Sequence, residues 1–107
     1  MREPTFLILS ALADQPRHGY AIMAEAAILS DGAVKLQAGT LYAALDRLTA
    51  EGLIAIAHEE VVDGRHRRYL SLTDLGRVAL RTEAEQRRRV AERALRRLSG
   101  STPAVSS

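Results

Sequence analysis

Cysteine and tryptophan are absent from this sequence of 107 residues, and phenylalanine and lysine each occur once. Without cysteine there is no disulfide framework, no thiolate nucleophile and no cysteine-ligated zinc site. No apolar run reaches the ~18 residues that a membrane-spanning helix needs. These absences exclude a disulfide-stabilised secreted domain and a helical membrane protein, and we expect one small domain in the cytoplasm.

The residue groupings typical of metal sites and catalytic sites are missing as well. The three histidines, His18, His58 and His66, are widely spaced, and no histidine and carboxylate recur at the i, i+4 spacing of helical metal ligands. Glu59 and Glu60 are adjacent in a β-prone segment, so they would point to opposite faces and make a poor acid and base pair. We therefore predict no metal site, no cofactor and no enzymatic activity.

Positive charge is scarce in the first part of the chain and dense in the last part. Residues 1–63 hold four basic and nine acidic side chains, whereas residues 64–107 hold eleven basic and four acidic ones. All but one of the basic residues are arginine, whose planar set of donors suits phosphate and carboxylate groups. A G+C-rich genome would produce the same arginine bias, so a functional and a compositional explanation both stay open.

Hydrophobic spacing predicts three helices in the first half of the chain. Pro4 suits a helix start, and the apolar residues that follow predict a first helix over 4–14. Amphipathic spacing predicts a second helix over 18–30 and a third over 38–51. Gly52 follows as the glycine that commonly ends a helix.

After the third helix the pattern becomes extended. Residues 53–56 and 60–62 are β-prone, Asp63-Gly64 is a hairpin turn signal, and residues 67–72 return as a second strand. Three helices followed by a hairpin are typical of a winged helix-turn-helix, in which the hairpin is the wing. The predicted fold is therefore mainly α with a small β-hairpin.

A long last helix is predicted over 74–98, with Thr73 as its N-cap. Its apolar and small residues follow a heptad-like stripe that is interrupted at Arg87. This stripe predicts that the helix pairs with the same helix of a second copy. The stripe comprises Leu80, Ala84, Ala91, Ala94, Leu95 and Leu98. The chain then divides into a winged helix-turn-helix domain over 1–72, a dimerisation helix over 73–98 and a disordered polar tail over 99–107.

The third helix carries two kinds of residue. One stripe has the spacing of a buried face and comprises Leu41, Ala44, Leu45 and Leu48. The first turn carries Gly39, Thr40 and Tyr42, and the start of the second helix of a helix-turn-helix enters the major groove of DNA. Tyr42 falls between the two faces, so spacing alone leaves open whether it contacts DNA or fills the edge of the core.

Five short motifs occur in order along the chain. They are HGY at 18–20, GTLY at 39–42, L-x-R-L at 45–48, EGLI at 51–54 and GRHRRYLSLTDLG at 64–76. Together they resemble the PadR family of bacterial transcriptional regulators over about residues 5–80. Ala38 and Ala43 stand where that family often has other residues, and Leu70 replaces the second of two tyrosines in the wing.

The resemblance implies a homodimer formed largely through the C-terminal helix, and repression of a nearby operon that a small molecule relieves. The family-like DNA contacts would be Thr40, Leu41, Tyr42, Arg65, Arg67 and Arg68, and the basic residues Lys35 and Arg47 are further predicted contacts. The helical wheel, however, turns Leu41 inward. In the family, helix 1 of the partner often joins the dimer interface, and the candidates would be Phe6 and Leu9 beside Leu80, Ala84, Ala91, Leu95 and Leu98.

The leading hypothesis is a dimeric regulator that binds a pseudo-palindromic operator in double-stranded DNA. The basic hairpin supports it, because cationic side chains that neutralise phosphates release counterions. The alternative is a winged-helix module that uses the same surface to bind an acidic protein and does not bind DNA.

Overall fold

Four helices and one antiparallel hairpin make up the fold in the computed structural model, which describes residues 1–100. In chain order the elements are α1 (Glu3–Ala11), α2 (Gly19–Leu29), α3 (Ala38–Ala50), β1 (Ile54–Val62), β2 (Arg65–Leu72) and α4 (Asp74–Gly100). The order of elements and the fold class that were predicted from the sequence are confirmed. None of the helices described in residues 1–100 combines the length and the apolar character needed to cross a membrane.

The core lies where α1, α2, α3 and the base of the hairpin meet. All four residues of the predicted α3 stripe are buried, because helical spacing turns them toward the same side. The largest fully buried side chains are Ile8, Leu9, Leu12, Ile22, Leu41, Leu48 and Ile54.

The end of α3 and the turn of the hairpin both need glycine. Gly52 has φ +78°, and its amide donates to the Thr49 carbonyl at 3.0 Å, which ends the helix as predicted. In the hairpin, Asp63 and Gly64 have φ 52° and +76°. Positive φ at both central residues is the geometry of a type I′ turn, whose twist matches that of the two strands.

Two element boundaries differ from the prediction for tertiary reasons. α1 ends at Ala11 and not at residue 14, because the chain turns to pair Arg17 with Leu70 of β2 through two backbone hydrogen bonds of 3.0 and 2.9 Å. The Arg17 guanidinium also donates to the Ala11 carbonyl at 2.7 Å. β1 extends through His58 and Glu59, because both residues pair with β2, and a register shift between Ile56 and His58 leaves Ala57 without a partner residue in β2.

α4 begins at the predicted cap. The Thr73 hydroxyl donates to the Gly52 carbonyl at 2.6 Å and accepts from the Gly76 amide at 3.0 Å, so it ties the helix start to the end of α3. The helix continues to Gly100, so residues 99 and 100, which were predicted to be part of the disordered tail, are helical. The Ser99 hydroxyl donates to the Arg96 carbonyl. The rest of the predicted tail, residues 101–107, lies outside the described residues.

Arg87 connects α4 to α1. Its guanidinium lies 4.0 Å from the centre of the Phe6 ring and donates to Glu3, to Glu83 and to the Met1 carbonyl. The hydrogen bond to Glu3 is the main reason why the pKa of Arg87 is raised. The residue that interrupts the heptad-like stripe is therefore the one that joins α4 to α1.

Candidate nucleic-acid interface

The first turn of α3 presents its polar face to solvent. Gly39, Thr40, Tyr42 and Ala43 are exposed, whereas Leu41 is completely buried among the core side chains. The assignment of Leu41 as a DNA contact is therefore corrected, because its side chain points into the domain and serves packing. Thr40 and Tyr42 remain predicted contacts.

Tyr42 lies on the outside of the core and against α2. Its side chain is 54% exposed, and the end of its ring lies beside Gly19, the first residue of α2. This placement answers the question that spacing left open about burial: the ring does not fill the core. It also makes the first turn of α3 and the N-terminus of α2 one continuous surface.

His18 links this surface to the hairpin. As the N-cap of α2, its Nδ1 accepts a hydrogen bond of 3.2 Å from the Ala21 amide. Its ring meets the ring of Tyr69 edge to face at 5.3 Å, and Tyr69 in turn stacks on His58 at 4.4 Å. Burial, reinforced by the positive charge of Arg67, lowers the pKa of His18 and favours the neutral ring that the cap requires.

The strand register divides the hairpin into two faces. Opposite residues in an antiparallel pair share a face, and successive residues alternate between faces. The pairs His58 with Tyr69, Glu60 with Arg67 and Val62 with Arg65 therefore form one face, which we call the Tyr69 face because Tyr69 touches His18. The pairs Glu59 with Arg68 and Val61 with His66 form the other, the Glu59 face.

The predicted wing arginines consequently do not form one cluster. Arg65 and Arg67 lie on the Tyr69 face, and the positive charge of Arg67 acts on His18 at the N-terminus of α2. Arg68 lies on the Glu59 face, where its Nε is 3.7 Å from the Glu59 carboxylate, which His66 also contacts. Part of the positive charge seen in the sequence is thus balanced within the hairpin.

Neither of the other two basic residues predicted to contact DNA lies in the first turn of α3. Lys35 is exposed in the connection between α2 and α3. Arg47 lies two turns further along α3, and its guanidinium donates to the Thr5 hydroxyl at 2.8 Å and pairs with Glu51 at 3.6 Å. In this structure Arg47 holds α3 against α1, a role that the sequence pattern did not indicate.

The residues predicted to form a dimer interface fall into two groups. Leu9 is completely buried in its own domain, which corrects its assignment to the interface; Phe6 lies half-buried under Arg87, and Leu80 packs against the core. Ala84 is partly buried, and from residue 88 to Gly100 every residue is exposed in the single chain, including Ala91, Leu95 at 65% and Leu98 at 75%. A second copy remains the predicted partner of this part of α4.

Sequence reasoning missed Gly19 and the acidic residues of β1 as parts of this region. The HGY motif was visible, but neither periodicity nor charge reveals that Gly19 lies under a tyrosine 23 positions later.

Within residues 1–100, no group of three or more histidine, aspartate or glutamate side chains is placed to hold a metal ion.

The helices α2 and α3, followed by the hairpin, define a winged helix-turn-helix protein. The model of the transcriptional regulator PadR-like family matches residues 8–82 of the chain. The transcriptional regulator Rv3488 of Mycobacterium tuberculosis is 41% identical over 93 residues, which cover 87% of this chain and 80% of the relative. The chain therefore belongs to the PadR-like family of transcriptional regulators, as its motifs predicted.

Solved structures agree on the fold. A PadR family transcription regulator from Clostridium difficile R20291 superposes with a TM-score of 0.72 at 26% identity, covering 92% of this chain and all of that chain. Bacillus subtilis PadR, solved in complex with operator DNA, superposes with a TM-score of 0.68 at 20% identity, covering 99% of this chain and 52% of that chain. At that identity the second match shows the shared fold alone.

Proposed function

We propose that this protein is a homodimeric repressor that acts in the cytoplasm on a pseudo-palindromic operator. The observation that carries the proposal is one continuous surface, which we call the recognition surface. It runs from the first turn of α3, across the N-terminus of α2, to the Tyr69 face of the hairpin. Its members are Gly39, Thr40, Tyr42, His18, Gly19, Arg65 and Arg67.

Each part of the recognition surface is suited to a different part of a DNA duplex. A helix start with small and hydroxyl-bearing residues fits the major groove and can reach base edges. The N-terminus of α2 carries the positive end of a helix dipole, and Arg65 and Arg67 add two cations on the Tyr69 face of the hairpin. The complex of Bacillus subtilis PadR with operator DNA gives a precedent for this ligand on the same fold.

A small-molecule effector is the remaining part of the proposal. Its support is the family resemblance together with an open groove of about 420 Å³ between the turn after α1, the end of β2 and the first turns of α4. The groove combines apolar and charged side chains, among them Leu72, Leu80, Arg77 and Glu85. A ligand there would touch α4 directly and could change its orientation.

The test compares binding to the DNA upstream of the protein's own gene with binding to a scrambled duplex of the same composition. At moderate salt, fluorescence anisotropy is expected to give a Kd in the nanomolar range for the upstream duplex, at least ~10³-fold tighter than for the scrambled one. The affinity should fall steeply as salt rises. Equal affinity for the two duplexes would contradict the proposal, and retention of an acidic protein without DNA would favour the alternative.

The division of the hairpin into two faces predicts unequal effects for two neighbouring arginines. Arg67→Ala is expected to weaken binding to both duplexes by about tenfold and to reduce the salt slope by about one, because it removes a phosphate contact. Arg68→Ala, which removes the same charge from the other face, should cost less than about threefold, since the Glu59 face is opposite to the face that touches His18. Equal losses in the same titrations would show that the two faces are not distinct toward DNA.

A further inference from the structure

The backbone conformation at Gly19 does not require a glycine. Positive φ values occur at Gly32, Gly52 and Gly64 but not at Gly19, and glycine is a poor helix former compared with alanine. The unusual feature is its neighbour. A Cβ at this position would lie 2.7 Å from the hydroxyl oxygen of Tyr42, 3.1 Å from its Cζ and 3.2 Å from its Cε1. The end of the Tyr42 ring thus lies closer to this position than a Cβ on any other residue would allow without a shift of the ring.

Of the two partners in this contact, Tyr42 is the one that can move. Its side chain is 54% exposed, and the close atoms are at its outer end. The start of α2 is held by the His18 cap and by Ile22, which is completely buried. A methyl group at position 19 would therefore displace the tyrosine ring and leave α2 in place.

We propose that Gly19 is a positioning residue for operator recognition. Its missing side chain lets the Tyr42 ring lie against the N-terminus of α2, which fixes the point where the tyrosine hydroxyl meets the groove. The inference rests on the proposed function. Hydrogen bonds weaken steeply with distance and angle, so a displaced hydroxyl loses its base contact while the phosphate contacts of the hairpin remain.

A double-mutant cycle tests the coupling between the two residues. Gly19→Ala is expected to weaken binding to the upstream duplex by about tenfold, the value of one base contact, and binding to the scrambled duplex by less than about twofold. In a Tyr42→Ala background the same substitution should change operator binding by less than about twofold, because the ring it displaces is gone. Equal losses in the two backgrounds would show that Gly19 acts without Tyr42, for instance through a direct approach of α2 to a phosphate, and would overturn the proposal.

Two measurements without DNA separate positioning from damage to the fold. In NMR spectra of the wild-type protein, a nuclear Overhauser effect is expected between the Gly19 α-protons and the Tyr42 ring. The ring shifts should move in Gly19→Ala but not in the matched variant Gly39→Ala, whose added methyl meets nothing within 4 Å. Gly19→Ala should melt no lower than the wild type, since alanine favours the helix. A lower melting temperature, or the absence of that Overhauser effect, would overturn the positioning role.

The cycle also separates this proposal from the function on which it rests. A wild-type protein without preference for the upstream duplex would overturn the proposed function, and the positioning role with it. A clear preference combined with equal losses in both backgrounds would overturn the positioning role alone.

Discussion

Gly76→Ala is expected to lower the free energy of unfolding by about 3 kcal/mol or more, which is a large part of the stability of a domain this small. A Cβ on Gly76 would lie 2.0 Å from the carbonyl oxygen of Leu53. That oxygen belongs to the backbone and accepts a hydrogen bond from the Thr73 amide at 3.1 Å, so it cannot move aside without breaking the junction between β2 and α4. Thermal melting followed by circular dichroism should show a midpoint lowered by more than ~12 °C.

Two other variants show whether the close approach is the cause. Gly39→Ala adds the same methyl group to a helix where nothing lies within 4 Å, and it should leave stability unchanged or raise it by up to ~1 kcal/mol. Thr73→Ala loses the cap but makes no clash, and it should cost about 1 kcal/mol. A melting midpoint of Gly76→Ala equal to that of Gly39→Ala would contradict the structural explanation.

The parts of the fold that the sequence predicted are those set by local physics. The α3 stripe follows from helical spacing, the turn from Asp63-Gly64, and the start of α4 from the Thr73 cap. The early end of α1 could not be predicted in the same way. It depends on the pairing of Arg17 with Leu70, two residues 53 positions apart, and no local pattern indicates such a contact.

The candidate site was predictable to the level of elements but not of side chains. The family resemblance led to the assignment of Leu41 as a DNA contact and of Leu9 as a dimer contact, although both are completely buried in this chain. For Leu41, helical spacing already indicated the interior, so the physical pattern was the better guide. The separation of Arg67 from Arg68 depends on strand register, and the contact of Gly19 with Tyr42 depends on helix packing. No local pattern in the sequence indicates either of them.

The second large effect is expected on α4, where Leu95→Gln combined with Leu98→Gln should convert a dimer to a monomer. These two side chains are 65% and 75% exposed in the single chain, at the i and i+3 positions of the predicted stripe. Glutamine forms helices nearly as well as leucine, so the fold of one chain should be preserved. Sedimentation should give about the 11.7 kDa of one chain for the variant and about twice that for the wild type.

Loss of the dimer should reduce operator affinity by at least ~100-fold, because the second half-site is no longer bound at the high effective concentration that a linked partner provides. The matched control is Arg93→Gln combined with Arg96→Gln, which has the same spacing on the opposite side of α4. It should remain dimeric and show a much smaller loss of affinity. A leucine variant that sediments as a dimer would place the interface elsewhere, whereas a monomeric variant with unchanged operator affinity would show that this protein reads its operator without a partner.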